Sequence, residues 1–123
     1  HGVGAALCVR EGPARISRIS DVALAPGMIL SNEPGHYREG QWGIRNENLI
    51  LVEEAPKIGD GRDHLCFATL TWVPIDRRLI VVDMLSQAER DWLDAYHAGV
   101  LERIGPLVGP TAHNWLTAAC APL

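Results

Sequence analysis

The sequence predicts an α+β fold, with strands first and a helical tail. Two observations carry that reading. Glycines and prolines cut the first two-thirds into short apolar runs of strand length, and the last third changes to a helical period behind a Ser–Glu capping pair. His1-Gly2-Val3-Gly4 leads into the apolar run Ala5 to Val9, which Glu11-Gly12-Pro13 breaks. Ala25-Pro26-Gly27 is a turn, and Met28-Ile29-Leu30 a strand ending near Asn32. Pro34 through Gly43 reads as a glycine-bearing loop, and Ile44 to Val52 as a second strand. Residues 55 to 64 form a polar surface loop, Leu65 to Val73 a further strand, and Leu79 to Val82 a short apolar one.

Ser86 and Glu89 have capping-box spacing at the start of a helix. Trp92, Leu93, Tyr96, Val100, Leu101 and Ile104 then share one face, which fits a core or an interface, the latter in a homodimer. Gly105-Pro106 stops this helix, and a second starts at Pro110 with Trp115, Leu116 and Ala119 turned inward.

The chain's 123 residues argue for one compact unit, able to bury roughly two-thirds of its unfolded surface. The composition, 47% hydrophobic and 21% charged, is that of a soluble globular protein. Eleven basic against fifteen acidic side chains give a net charge of −4, which removes the footprint of a nucleic-acid binder. No apolar stretch has the length of about 18 residues that a membrane span needs. Cys8, Cys66 and Cys120 lie far apart with no Cys-x-x-Cys spacing, so neither a disulfide framework nor a structural zinc site is expected, and a reducing, cytoplasmic setting is. No charged leader precedes an apolar core at the start. Opening on His1 inside a motif-like stretch, the chain reads as a fragment.

Glu33 and Glu47 are the residues of greatest chemical interest. Glu33 stands where a strand runs into Pro34-Gly35, and Glu47 falls within the expected strand from Ile44 to Val52. A carboxylate half buried on a strand is costly unless paired or bound to a cation. Arg45, two residues away on the same face, offers an ion pair; a metal is the other partner. His1, between an imidazole's affinity for divalent transition metals and the room given by Gly2 and Gly4, is a further candidate ligand. On this feature alone a surface or core histidine is the commoner case, and His64, His97 and His113 are given no role. The nucleophile elbow, the phosphate-binding loop and the His-Glu-x-x-His helix are all absent from the sequence.

In order, His1-Gly2-Val3-Gly4, Glu11-Gly12-Pro13, Asn32-Glu33-Pro34-Gly35-His36-Tyr37 and Gly43-Ile44-Arg45-Asn46-Glu47-Asn48 resemble aminopeptidase P of the pita-bread metallopeptidases. The tail is similar too, with Thr69-Leu70-Thr71-Trp72-Val73-Pro74-Ile75 and Trp92-Leu93-Asp94-Ala95-Tyr96-His97 matching the extension of the longer members. The resemblance implies the C-terminal half of a pita-bread fold, with residues 1–64 in the catalytic domain and 65–123 in the extension. It implies two divalent metal ions, manganese for preference, that serve hydrolysis of the bond between an N-terminal residue and a following proline, so that the partners are peptides with proline second. His1, Glu33 and Glu47 match three of five ligands, and two aspartates of the family lie upstream of the histidine motif. Glu33 also matches the expected general base, Arg45 the arginine that orients the neighbouring glutamate, and Tyr37 an aromatic residue near the site. Arg10 stands where the family has a substrate-contacting histidine; an arginine can donate hydrogen bonds to an oxyanion but cannot shuttle a proton near neutral pH. The expectation is therefore a metalloaminopeptidase whose fragment alone is inactive, the alternative being an impaired enzyme or peptide-binding module on the same fold.

Overall fold

The computed structural model describes residues 1–4 and 10–123. The apolar run expected at Ala5 to Val9 lies outside the described residues. The chain divides into two compact units, His1–Thr71 and Trp72–Leu123. In the described residues no helix is long and apolar enough to cross a membrane.

In the first unit the strands are β1 (Ile29–Asn32), β2 (Gly35–Arg38), β3 (Trp42–Arg45), β4 (Asn48–Glu54) and β5 (Leu65–Thr69). β4 is the centre of an antiparallel sheet ordered β1-β4-β5, with Leu30 opposite Ile50 and Val52 opposite Phe67. Strand alternation sends Leu30, Ile50 and Val52 to one face, where they form a buried cluster under Ala14, Leu24 and Met28. On β1 the next residue, Ser31, is also buried, on the opposite face.

The stretch 34–43, expected as a loop, is instead most of a hairpin. β2 and β3 pair from Gly35 opposite Arg45 to Arg38 opposite Trp42, leaving a three-residue turn at Glu39-Gly40-Gln41. Gly40 takes a positive φ of 66°, and the Gln41 N–H donates to Arg38 O at 3.0 Å to close the turn. The strand expected from Ile44 to Val52 is correspondingly two strands, β3 and β4, separated by Asn46 and Glu47. Asn46 N–H donates to Pro34 O at 3.3 Å, tying that link to the residue after Glu33. Strand β5 stops at Thr69 rather than Val73, and Thr71 turns its hydroxyl back to the β4 start, accepting from Leu49 N–H at 2.9 Å and donating to Asn48 Oδ1 at 3.0 Å. By packing, then, residues 65–71 belong with the first unit.

The second unit is built on α1 (Gln87–Ile104) and α2 (Pro110–Ala119). Ser86 and Glu89 form the expected capping box, and α1 gives way to a 3-10 turn at Gly105–Leu107. Leu93, Tyr96, Val100, Leu116 and Cys120 make the core. Residues 79–82, expected as a strand, fall within and between two 3-10 turns, Arg77–Leu79 and Val82–Met84. One aromatic expectation is also corrected: Trp115, expected to turn inward, is 64% exposed, and Trp92 is 58% exposed. Trp92 stacks on Tyr96 from outside, their ring centres 5.6 Å apart. The adjacent pair Tyr96 and His97 holds the extended segment after Trp72: Tyr96 Oη donates to Val73 O at 2.8 Å, and Ile75 N–H donates to His97 Nε2 at 3.1 Å.

Candidate active site

Two backbone segments meet to build the site. The first, His1–Val3, runs antiparallel to β1: Ser31 N–H donates to His1 O at 2.8 Å, His1 N donates to Ser31 O at 3.1 Å, and Val3 N–H donates to Ile29 O at 2.9 Å. On its other side Gly2 receives the loop from Glu11 to Ala14, donating to Ala14 O at 2.7 Å and accepting from Glu11 N–H at 2.9 Å. A β-carbon at Gly2 would lie 2.2 Å from Glu11 O and 2.9 Å from Ala14 O, so only glycine permits this approach. His1 is thereby fixed beside Ser31, and the loop bearing Arg10 and Arg15 is fixed beside His1.

The second segment is the end of β1 and the hairpin that follows it. Glu33 sits just past β1, on the face of Ser31, with its side chain only 8% exposed. Its carboxylate is surrounded by donors. Ser31 Oγ donates to Oε1 at 2.7 Å, His1 Nδ1 makes a close contact with the same oxygen, Arg45 Nη1 donates to Oε2 at 2.6 Å and Arg10 Nη2 to Oε2 at 3.2 Å. The Ser31 hydrogen bond, helped by the charges of Arg10 and Arg45, holds the Glu33 carboxyl below the usual carboxylate range.

Arg45 has its own positioner. Its Nε donates to Tyr37 Oη at 2.7 Å, and this bond, with the nearby Glu33 charge, raises the guanidinium's already high pKa. The Tyr37 ring lies over the two glycines in the hairpin's strands: a β-carbon at Gly43 would come within 2.5 Å of Tyr37 Cδ1, and one at Gly35 within 2.6 Å of Tyr37 Oη. Removing those β-carbons is what lets the phenol lie across the hairpin and reach Arg45.

Of the predicted site residues, His1, Arg10, Glu33, Tyr37 and Arg45 are thus drawn into one hydrogen-bonded group. Glu47 is not. It lies in the link between β3 and β4, exposed, and Arg45 pairs with Glu33 rather than with the expected Glu47. The half-buried strand position expected for Glu47 fails because the hairpin ends at Arg45 and β4 starts afresh at Asn48. Ser31 was missed by the sequence reading, although its position two residues before Glu33 is the spacing that puts neighbours on one strand face.

A hollow of about 500 Å³ opens over this group, lined among others by His1, Arg15, Ser17, Glu33, Tyr37 and Arg45. The donor set tests its fit to a metal. An imidazole nitrogen touching an anionic carboxylate is a hard-to-borderline pair suited to manganese-like ions, and two such donors fit a divalent cation. Among the described residues no group of three His, Cys, Asp or Glu side chains that could hold a metal converges, so the pair does not by itself make up a metal site.

Residues 1–54 match the model of metallopeptidase family M24, and residues 63–123 that of the C-terminal region of peptidase M24. Aminopeptidase P2 of Arabidopsis thaliana is 47% identical over 128 residues, covering 100% of this chain and 18% of that protein. A probable Xaa-Pro aminopeptidase P of Tuber melanosporum is 43% identical, covering 100% of this chain and 21% of its own length. The crystal structure of X-prolyl aminopeptidase from Caenorhabditis elegans, described as a cytosolic enzyme with a di-nuclear active site, superposes with a TM-score of 0.87 at 36% identity, over 100% of this chain and 21% of that one. The chain therefore spans about a fifth of the length of the relatives it matches.

Proposed function

The chain belongs to metallopeptidase family M24, and from that premise we propose that it supplies one side of the active site of an Xaa-Pro aminopeptidase, acting within a longer polypeptide. The observation that carries this reading is the Glu33 carboxylate, nearly buried, in contact with the His1 imidazole and braced by Ser31 and Arg45. His1 and Glu33 would hold a divalent ion, with Glu47 and donors from the rest of the polypeptide completing a two-ion set that we take to be manganese. Such ions, when bound, acidify a water molecule and polarise the scissile carbonyl.

The residues themselves divide the remaining work. Depressing the Glu33 pKa favours the anion, which suits a ligand and makes the carboxylate a weak proton acceptor. Of the two roles expected for Glu33, metal ligand is thus the better supported. Arg45, anchored by Tyr37, fixes the orientation of that carboxylate by a hydrogen bond and also lies within reach of the Glu47 charge. Tyr37, 60% exposed, lines the hollow, and we assign it to the prolyl side of a peptide. The substrates are peptides with proline second.

A second reading is favoured by one contact. Arg10 also bonds Glu33, so it adds a cation where an ion must bind and offers no titratable proton. On this reading the parent binds peptides and turns them over poorly. Elemental analysis and hydrolysis of an Ala-Pro peptide by the full-length polypeptide decide between the two. The peptidase reading expects about two ions per chain, turnover, and loss of both in Glu33→Gln. Metal and peptide binding without turnover, restored by Arg10→His, favours the impaired enzyme. If full-length protein binds no divalent ion, both readings fall. The 123-residue chain alone is expected to hydrolyse no Xaa-Pro bond.

A further inference from the structure

Arg15 and Arg45 line the hollow beside Glu33, Arg10 lines the smaller hollow next to it, and two of these three arginines are committed. Arg10 and Arg45 each bond the Glu33 carboxylate, and Arg45 also engages Tyr37. Arg15 is different. It lines both the main hollow and the smaller one of about 300 Å³ formed by His1 and residues 10–15, and it has no hydrogen bond or ion pair among the described residues. One carboxylate, Glu11, shares the rim of the smaller hollow; it is exposed and forms no ion pair with Arg15. Next to Arg15, Ser17 Oγ accepts the Ile19 N–H at 3.4 Å, which leaves its own proton to donate, and Ile16 is half exposed.

Charge then sets polarity. Glu33 is neutralised from within by two guanidinium groups, so the uncommitted charge facing this part of the hollow is the cation of Arg15. A peptide's α-ammonium is repelled here, whereas a carboxylate further along the same peptide is attracted, with a guanidinium fork and a hydroxyl to receive it.

Resting on the peptidase reading above, we propose that Arg15 is a specificity-determining residue: with Ser17 it holds a substrate carboxylate beyond the proline. That carboxylate is either an acidic side chain or the C-terminus of a short peptide. The subsite thus prefers acidic or short peptides over long neutral ones.

The test compares three peptides in the full-length polypeptide: Ala-Pro-Glu-amide, Ala-Pro-Gln-amide and Ala-Pro-Gln with a free C-terminus. Wild type is expected to favour a carboxylate peptide over Ala-Pro-Gln-amide by about fivefold in kcat/KM, mostly through KM, and to lose part of that preference in high salt. In Arg15→Gln the ratio falls to about one, while Arg15→Lys keeps part of it. Which of the two carboxylate peptides is favoured identifies the source of the charge. Equal ratios in wild type and Arg15→Gln, with all peptides cleaved, overturn the assignment and leave the peptidase reading standing. If nothing is cleaved, the peptidase reading fails, and calorimetric Kd values for the same peptides decide on Arg15: a carboxylate preference lost in Arg15→Gln upholds the subsite, and its absence in wild type removes it.

Discussion

Ser31 Oγ donates to Glu33 Oε1 at 2.7 Å, while the Ser31 backbone pairs with His1 on both its N–H and its carbonyl. One residue therefore aligns both donors of the candidate metal site. Ser31→Ala keeps the backbone pairing and removes only the hydroxyl. In that variant the Glu33 carboxyl should titrate at higher pH than in wild type, as followed by carboxyl-carbon NMR. The linked stability has a definite sign: a folded pKa below 4.5 stabilises the protein above that value and is lost as pH falls through the folded pKa. Ser31→Ala should weaken that acid-side dependence.

Tyr37→Phe tests whether Arg45 needs an anchor. The ring stays over Gly35 and Gly43, but Arg45 Nε loses its acceptor. Metal affinity or turnover of the full-length polypeptide should drop by about tenfold, the usual effect of losing a partner that orients a ligand. An unchanged metal titration would show that the Glu33 carboxylate alone holds Arg45 in place.

The first-unit core is small, so its members should be sensitive. Leu30 is fully buried between Ile50 and Val52, and Leu30→Ala should cost about 3 kcal/mol in urea unfolding. Ile19, 76% exposed, is the control, and Ile19→Ala should stay within about 0.5 kcal/mol.

His97 supplies a separate pH dependence. Its side chain is fully buried, Nε2 accepts the Ile75 N–H, and Nδ1 is buried with no partner among the described residues. Burial, aided by the charge of Arg77, pushes its pKa below 6.5. A depressed histidine stabilises the folded state above 6.5, and that contribution is lost as pH falls through the folded pKa. Thermal melts should show Tm declining below about pH 6.5. In His97→Gln that decline should be reduced, while the acid loss due to carboxylates such as Asp76, held at about 2, persists at lower pH.

Much of this was legible in the residues. The capping box, the Pro110 helix start and the β1 strand follow from local chemistry that tertiary packing does not override. The hairpin at 35–45 was hidden because its pattern contains three glycines, which suggest a loop; only the Tyr37 ring filling the space above two of them explains their presence in strands. The same oversight misplaced Glu47, since a strand continuing through 44–52 carries it inward, whereas the break at Asn46 leaves it exposed. Trp115 was expected inward because helical spacing defines a face without giving its width, and it stands at the margin of the buried stripe. For the site, the motif residues marked the participants, but the partner of Arg45 was decided by the β2–β3 pairing, which sets Arg45 opposite Gly35 and so near Glu33, and not by proximity in sequence.

The missing side chain at Gly2 has a reach beyond its own position. Carbonyls 11 and 14 close over it, so the imidazole next door takes its address from main-chain crossing and not from side-chain packing. Drift in the surrounding loop can therefore alter its chemistry, arginines included, without dislodging the histidine, whereas a single methyl group at residue 2 pushes the two segments apart and unseats it.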